Sequence, residues 1–141
     1  MPHGLFGRVL SQPALPAVAR TNGVANGTTV DLGIYGNDFN SALFVVNVGT
    51  ITDGNHVLKL QDSPDGTTWT DVDAAHTQTV AGGPTVTLTS ANSNQVASLG
   101  YLGGQNEYVR IVATTSGATT GGVFGAVAVL AEGSDDPVLR S

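Results

Sequence analysis

The segment His56–Val72, HVLKLQDSPDGTTWTDV, decides the fold. From His56 to Gln61 it alternates, with Leu58 and Leu60 on one side and Lys59 and Gln61 on the other. That period of two marks a half-buried strand. Asp62-Ser63-Pro64-Asp65-Gly66 then breaks the alternation: Pro64 presets φ for the second turn position and Gly66 supplies the positive φ that ends the turn. Thr67–Val72 reads as the return strand, so 56–72 is a β-hairpin.

Short alternating pieces flank it on both sides. Thr28–Leu32 reads as a strand and Gly33–Ser41 as a loop rich in turn formers. Ala42–Val48 (ALFVVNV) is the most apolar run, short enough for a central strand buried on both faces. Downstream, Thr77–Ala81 and Pro84–Thr89 form a second hairpin-like unit around Gly82-Gly83. Asn94–Leu99 is another strand and Gly100–Asn106 a glycine-rich loop. Tyr108–Thr114 and Val123–Leu130 then close the body as a final hairpin around Ser116–Gly122. Such spacing predicts an all-β fold, a single antiparallel β-sandwich or jelly-roll-like domain over 27–131.

Residues 1–26 have no such period. Pro13 and Pro16 disfavour helix and bias the stretch towards extended backbone. Its apolar side chains are too many for a solvated tail, so 1–26 is expected to be an extended arm lying on a neighbour. A disordered terminus or a first strand of the body are the other readings. Residues 132–141, with Pro137, are expected to form a loose tail.

Composition narrows the function. Of 141 residues, 11% are charged and 19 are glycine, a balance that suits strands and turns over helices. Net charge is −6, Lys59 is the one lysine, and Arg8, Arg20, Arg110 and Arg140 are scattered. Phosphate backbones are bound by clustered Lys and Arg, so neither nucleic acid nor an anionic membrane is an expected partner. No cysteine is present, which removes disulfides and thiolate chemistry. No apolar run approaches the roughly 18 residues of a membrane span. Pro13 and Pro16 interrupt any signal-peptide core, so the protein is expected to stay in the producing cell until lysis or assembly.

Candidate chemistry is sparse. Asp62, Asp65, Asp71 and Asp73 invite a calcium reading, but their spacing misses the EF-hand pattern and hairpin turn with solubility is the preferred role. His3, His56 and His76 lack metal-ligand spacing. Glu107 and Glu132 have no assignable partner for a carboxylate pair, and no serine sits in a G-x-S-x-G elbow. No catalytic residue, metal or cofactor is expected. Gly100-Tyr101-Leu102-Gly103-Gly104 lacks the end of a phosphate loop. Trp69, Tyr35, Tyr101 and Tyr108 could form a sugar-stacking platform, against a plain packing role for Trp69.

The stretches KLQDSPDGTTWTDV, GYLGGQNEYVRIV and GGVFGAVAVLA together give residues 42–131 a family likeness. The chain resembles the capsid decoration, or cement, proteins of tailed bacteriophages. That resemblance implies a sandwich or jelly-roll body, often a homotrimer, seated outside a capsid near its local threefold axes. It further implies bridging of neighbouring major capsid protein subunits through an N-terminal arm. Leu5, Phe6, Arg8, Val9, Leu10, Leu15, Val18 and Arg20 are the expected contacts, and the virion exterior the expected location after synthesis in the host cytoplasm. A carbohydrate- or cell-surface-binding module of a fibre or tail, using Trp69, Tyr35 and Tyr101, is the alternative, as is a tail or connector subunit.

Overall fold

A computed structural model of the chain describes residues 4–103, 106–133 and 138–140. His3, Gly104 and Pro137, singled out above, lie outside the described residues. The described residues form β1 (Leu10–Arg20), β2 (Gly23–Asn26), β3 (Val30–Asp31), β4 (Ser41–Ile51), β5 (Asn55–Ser63), β6 (Thr70–Asp71), β7 (Thr77–Gln78), β8 (Thr85–Leu88), β9 (Val96–Leu102), β10 (Tyr108–Ser116) and β11 (Gly122–Ala131). Two antiparallel sheets pack face to face as a β-sandwich. Sheet A runs β1-β11-β4-β9-β7, and sheet B runs β2-β10-β5-β6 with β3 on β10 and β8 on β5.

The alternation seen in the sequence sets the core. Phe44, Val46 and Val48 of β4, Leu99 of β9, and Phe124, Ala128 and Leu130 of β11 point inward from sheet A. Leu58 and Leu60 of β5 with Val109 and Ile111 of β10 face them from sheet B. Each fully buried Leu or Phe contributes about 1.5–3 kcal/mol relative to exposure. His56 is also buried here, its ring edge-on to Phe124 with centroids 5.3 Å apart. Its nitrogens meet Thr115 Oγ1 at 2.7 Å and the Asp53 carbonyl at 3.1 Å, so neither is orphaned in the core.

Four sequence expectations are corrected. First, the body does not begin at Gly27. Leu10–Arg20 is the edge strand of sheet A, paired with β11 from Leu10↔Leu130 to Arg20↔Gly122, and β2 pairs with β10. Pro13 and Pro16 are accommodated because an edge strand need not donate every N–H, and the register shifts beside them. The chain crosses between sheets at Thr21-Asn22. Farther on, between β2 and β3 of sheet B, Gly27 N–H bonds the Ile111 carbonyl of β10 and Thr28 N–H the Ala14 carbonyl of β1, tying the two sheets together.

Second, β10 and β11 are not a hairpin, because they belong to different sheets. Residues 117–121 carry the chain across the sandwich, shaped by the Asp53 carboxylate. It accepts the N–H groups of Thr119, Thr120 and Gly121. Likewise β7 pairs with β9 and β8 with β5, so Gly82-Gly83 joins the two sheets.

Third, the return strand of the 56–72 hairpin is short. Only Thr70 and Asp71 pair with β5, since the Asp65 carboxylate captures the Thr67 and Thr68 N–H groups at 2.9 Å each. Fourth, the C-terminal segment is held where it is described. Val138 is buried and its N–H bonds the Gly7 carbonyl, while Asn37 pairs with both backbone groups of Leu139.

Candidate functional site

The expected arm separates into three parts. Gly4–Val9 form a turn closed by the Leu5 carbonyl, which accepts from the N–H groups of Arg8 and Val9 at 3.0 and 3.1 Å. Within it Leu5 and Phe6 are 75% and 76% exposed, Arg8 is exposed and Val9 half-buried. Leu10 and Leu15, by contrast, are core residues. Val18 is exposed on β1, and Arg20 lies at the far end of that strand with its guanidinium 5.3 Å from the Phe124 ring centroid. An 11-residue strand, about 36 Å long, therefore separates Leu5 and Phe6 from Arg20.

The turn is pinned from the C-terminal side. The Arg140 guanidinium stacks 3.8 Å from the Phe6 ring centroid. It also donates to the carbonyls of Phe6 and of Val9, the latter at 2.8 Å. Val138, bonded to Gly7, and Leu139, held by Asn37, anchor that clamp to the body. The result is a preformed apolar tip carrying two of the four arginines of an acidic chain. It projects from the end of the sandwich where β1 starts, β11 finishes and β4 starts.

The aromatic platform is not assembled. Tyr101 is 1% exposed, and its hydroxyl donates to Asp62 Oδ2 at 2.8 Å between the sheets. Burial, then the Asp62 hydrogen bond and charge, push its phenol above the usual range. Trp69 is half-buried, and Arg110 lies 4.3 Å from its ring centroid, covering one face of the indole. Arg110 is itself fixed by Gln61 Oε1, at 3.0 Å from Nε and 2.8 Å from Nη2. Tyr35 is exposed in the 33–41 loop with a left-handed backbone (φ 59°). Tyr108 is half-buried, and nearby Glu107 and Asp31 raise its phenol.

The four aspartates each have a separate partner. Asp62 takes Tyr101, Asp65 its own turn, Asp71 the Lys59 ammonium at 3.0 Å, and Asp73 the His76 ring at 2.7 Å. Among the described residues no group of three or more His, Asp or Glu could hold a metal ion. A cleft of about 460 Å³ is lined by Leu32, Gly33, Asn37, Asp38, Phe39 and Glu107 among others. There the Asp31 hydrogen bond and charge push the Glu107 carboxyl above its usual range.

One surface was missed by the sequence reading. On the outer face of sheet A, Leu43 and Val127 are exposed and Val45 and Val129 half-exposed. Between β1 and β4 this face holds a groove of about 390 Å³, lined by Pro13, Ala17, Val45, Asn47, Gly125 and Val127 among others. The signal was present in 42–48 and 123–130, which lack regular polar alternation, but for 42–48 it is read as a strand buried on both faces. Within the described chain β4 is central in its sheet, yet only its inner face is covered.

No helix among the described residues is long and apolar enough to cross a membrane. The chain matches no known protein-family model and no curated protein sequence.

Proposed function

We propose that this is a structural virion protein. It binds the outside of a tailed-phage capsid and stabilises the lattice by bridging neighbouring major capsid protein subunits. The observation that carries the reading is the clamped apolar tip, in which Leu5 and Phe6 stand exposed between Arg8 and Arg140. The phage capsid as target comes from the sequence resemblance over 42–131.

The tip is suited to attachment. Exposed Leu and Phe side chains gain about 1.5–3 kcal/mol each when a partner covers them. Two arginines beside them favour an acidic rim. Because the Arg140 clamp already orders the turn, less conformational entropy is lost on docking. One tip gives weak binding, but many identical sites on one shell act together. A ligand that binds only the assembled lattice adds its binding free energy to the lattice's stability. The virion exterior is the location this role requires.

The test is co-sedimentation of full-length and Δ1–9 protein with mature capsids of the source phage stripped of decoration. Saturable binding by the full chain, lost in Δ1–9, supports the role. Equal binding by both forms removes the tip from it, and no binding by either removes the capsid. Rings or tubes formed by the protein alone would favour a tail or connector subunit.

A further inference from the structure

We infer that the outer face of sheet A is a self-association surface whose occupant is the same face of a second copy of this chain. The inference is independent of the capsid role. It starts from a mismatch between sequence and burial. Antiparallel strands with one wet face alternate apolar-in, polar-out, and β5 does so, with Lys59 and Gln61 outside. Strands β4 and β11 do not. Their outward residues include Leu43, Val45, Val127 and Val129, with Asn47 of β4 as a polar but uncharged exception. Val96 and Leu102 of β9 extend the patch, 64% and 38% exposed.

Charge points to the occupant. Across β1, β11, β4, β9 and β7 the one charged residue is Arg20, set at the end of β1 over the Phe124 ring. The outer face of sheet B instead carries Lys59, Asp71 and Arg110. A chain of net charge −6 repels its copies. An uncharged sheet face lets two copies meet without opposing carboxylates, and two such faces stack as sheets do, about 10 Å apart. The groove beside Gly125 and Val127 offers a recess for an aliphatic side chain of the partner. The face is also free of the tip, which lies at the end of the strands, so both can be engaged together.

Area sets the strength. Four strands at about 4.8 Å spacing, over about seven residues at about 3.3 Å, project roughly 450 Å² per copy. Two copies then cover roughly 900 Å², just below the roughly 1,000 Å² expected of a stable interface. The association is therefore weak and reversible in solution, and gains occupancy where copies are concentrated.

Sedimentation equilibrium of the full-length protein alone, from about 1 µM to about 1 mM, tests this. The expected result is a mass that rises with concentration, and more steeply at high salt, where repulsion between acidic copies is screened. Val127→Asp is expected to weaken association roughly 100-fold, because it buries an unpaired charge. Val127→Thr keeps the β-branched shape and is expected to weaken it less. Val80→Asp, at a fully exposed position outside sheet A, is expected to leave it unchanged. Circular dichroism and melting temperature establish that each variant is folded. A protein monomeric throughout the range, or a folded Val127→Asp that associates like the parent, overturns the inference. With no capsid in the experiment, either outcome leaves the decoration role to its own test.

Discussion

The Tyr101 hydroxyl and the Asp62 carboxylate meet at 2.8 Å inside the core, joining β9 of sheet A to β5 of sheet B. Both residues are buried, so each satisfies a group that water cannot reach. Tyr101→Phe keeps the ring and strands the carboxylate. The expected cost is about 2–3 kcal/mol, read from urea unfolding at pH 7. The pH dependence has a definite sign. Folding raises the Tyr101 phenol, first by burial and then through Asp62. Its contribution is complete below the unfolded value near pH 10 and is lost as pH climbs through the folded one. Parent stability should thus fall above about pH 10, with a shallower fall in Tyr101→Phe.

Asp65 predicts the opposite end of the pH scale. Backbone N–H groups of Thr68 and Thr67, then the Ser63 hydroxyl, hold its carboxyl well below the usual carboxylate range. A lowered carboxyl stabilises above its unfolded value, near pH 4, and loses that effect as pH falls through the folded one. Asp65→Asn keeps an acceptor but removes the titration. Urea midpoints at pH 7 and at about pH 2 should differ less in the variant than in the parent.

Gly27, between β2 and β3, sits where β1 of sheet A comes close to β10 of sheet B. A Cβ there would sit 2.5 Å from the carbonyl oxygens of both Ala14 and Ile111. Neither is a flexible side chain, so Gly27→Ala must move backbone and is expected to cost about 1–3 kcal/mol. Thermal unfolding measures it.

Truncations separate tip from strand. Δ1–26 removes β1 and β2, taking Leu10, Ala14 and Leu15 from the core and exposing the β11 edge. Against a total stability of about 5–15 kcal/mol for a domain, the product is expected to be unfolded or aggregated. Δ1–9 leaves every strand intact and is expected to keep a native circular dichroism spectrum.

The sequence made strands and their inner faces legible and left their partners hidden. Leu58 and Leu60 announced themselves by alternation, and Pro64 with Gly66 placed the turn. Nothing local, however, says that β10 leaves for β5 while β11 joins β4. The 117–121 crossover is set by Asp53, distant in sequence. The tip was half legible. Leu5 and Phe6 are among the arm's expected contacts, but their resemblance to Leu10 and Leu15 hid the boundary, which only pairing with β11 draws. The clamp was invisible, because Arg140 and Phe6 lie at opposite ends of the chain. Tyr101 looked like a surface aromatic because a glycine-rich context suggests loop. Its Asp62 partner pulls it inside as strand.

The capsid role is tested most directly by equilibrium titration of mature, decoration-stripped capsids with parent protein and with the Leu5→Asp/Phe6→Asp double variant. Both positions are exposed and lie outside every strand, so the variant is expected to keep the sandwich and lose only the Arg140–Phe6 stacking, which circular dichroism and melting temperature check. The proposal predicts saturable parent binding and at least about tenfold weaker binding by the variant, since a buried charge replaces each apolar contact. Equal affinities for a folded variant, or no parent binding, would contradict it.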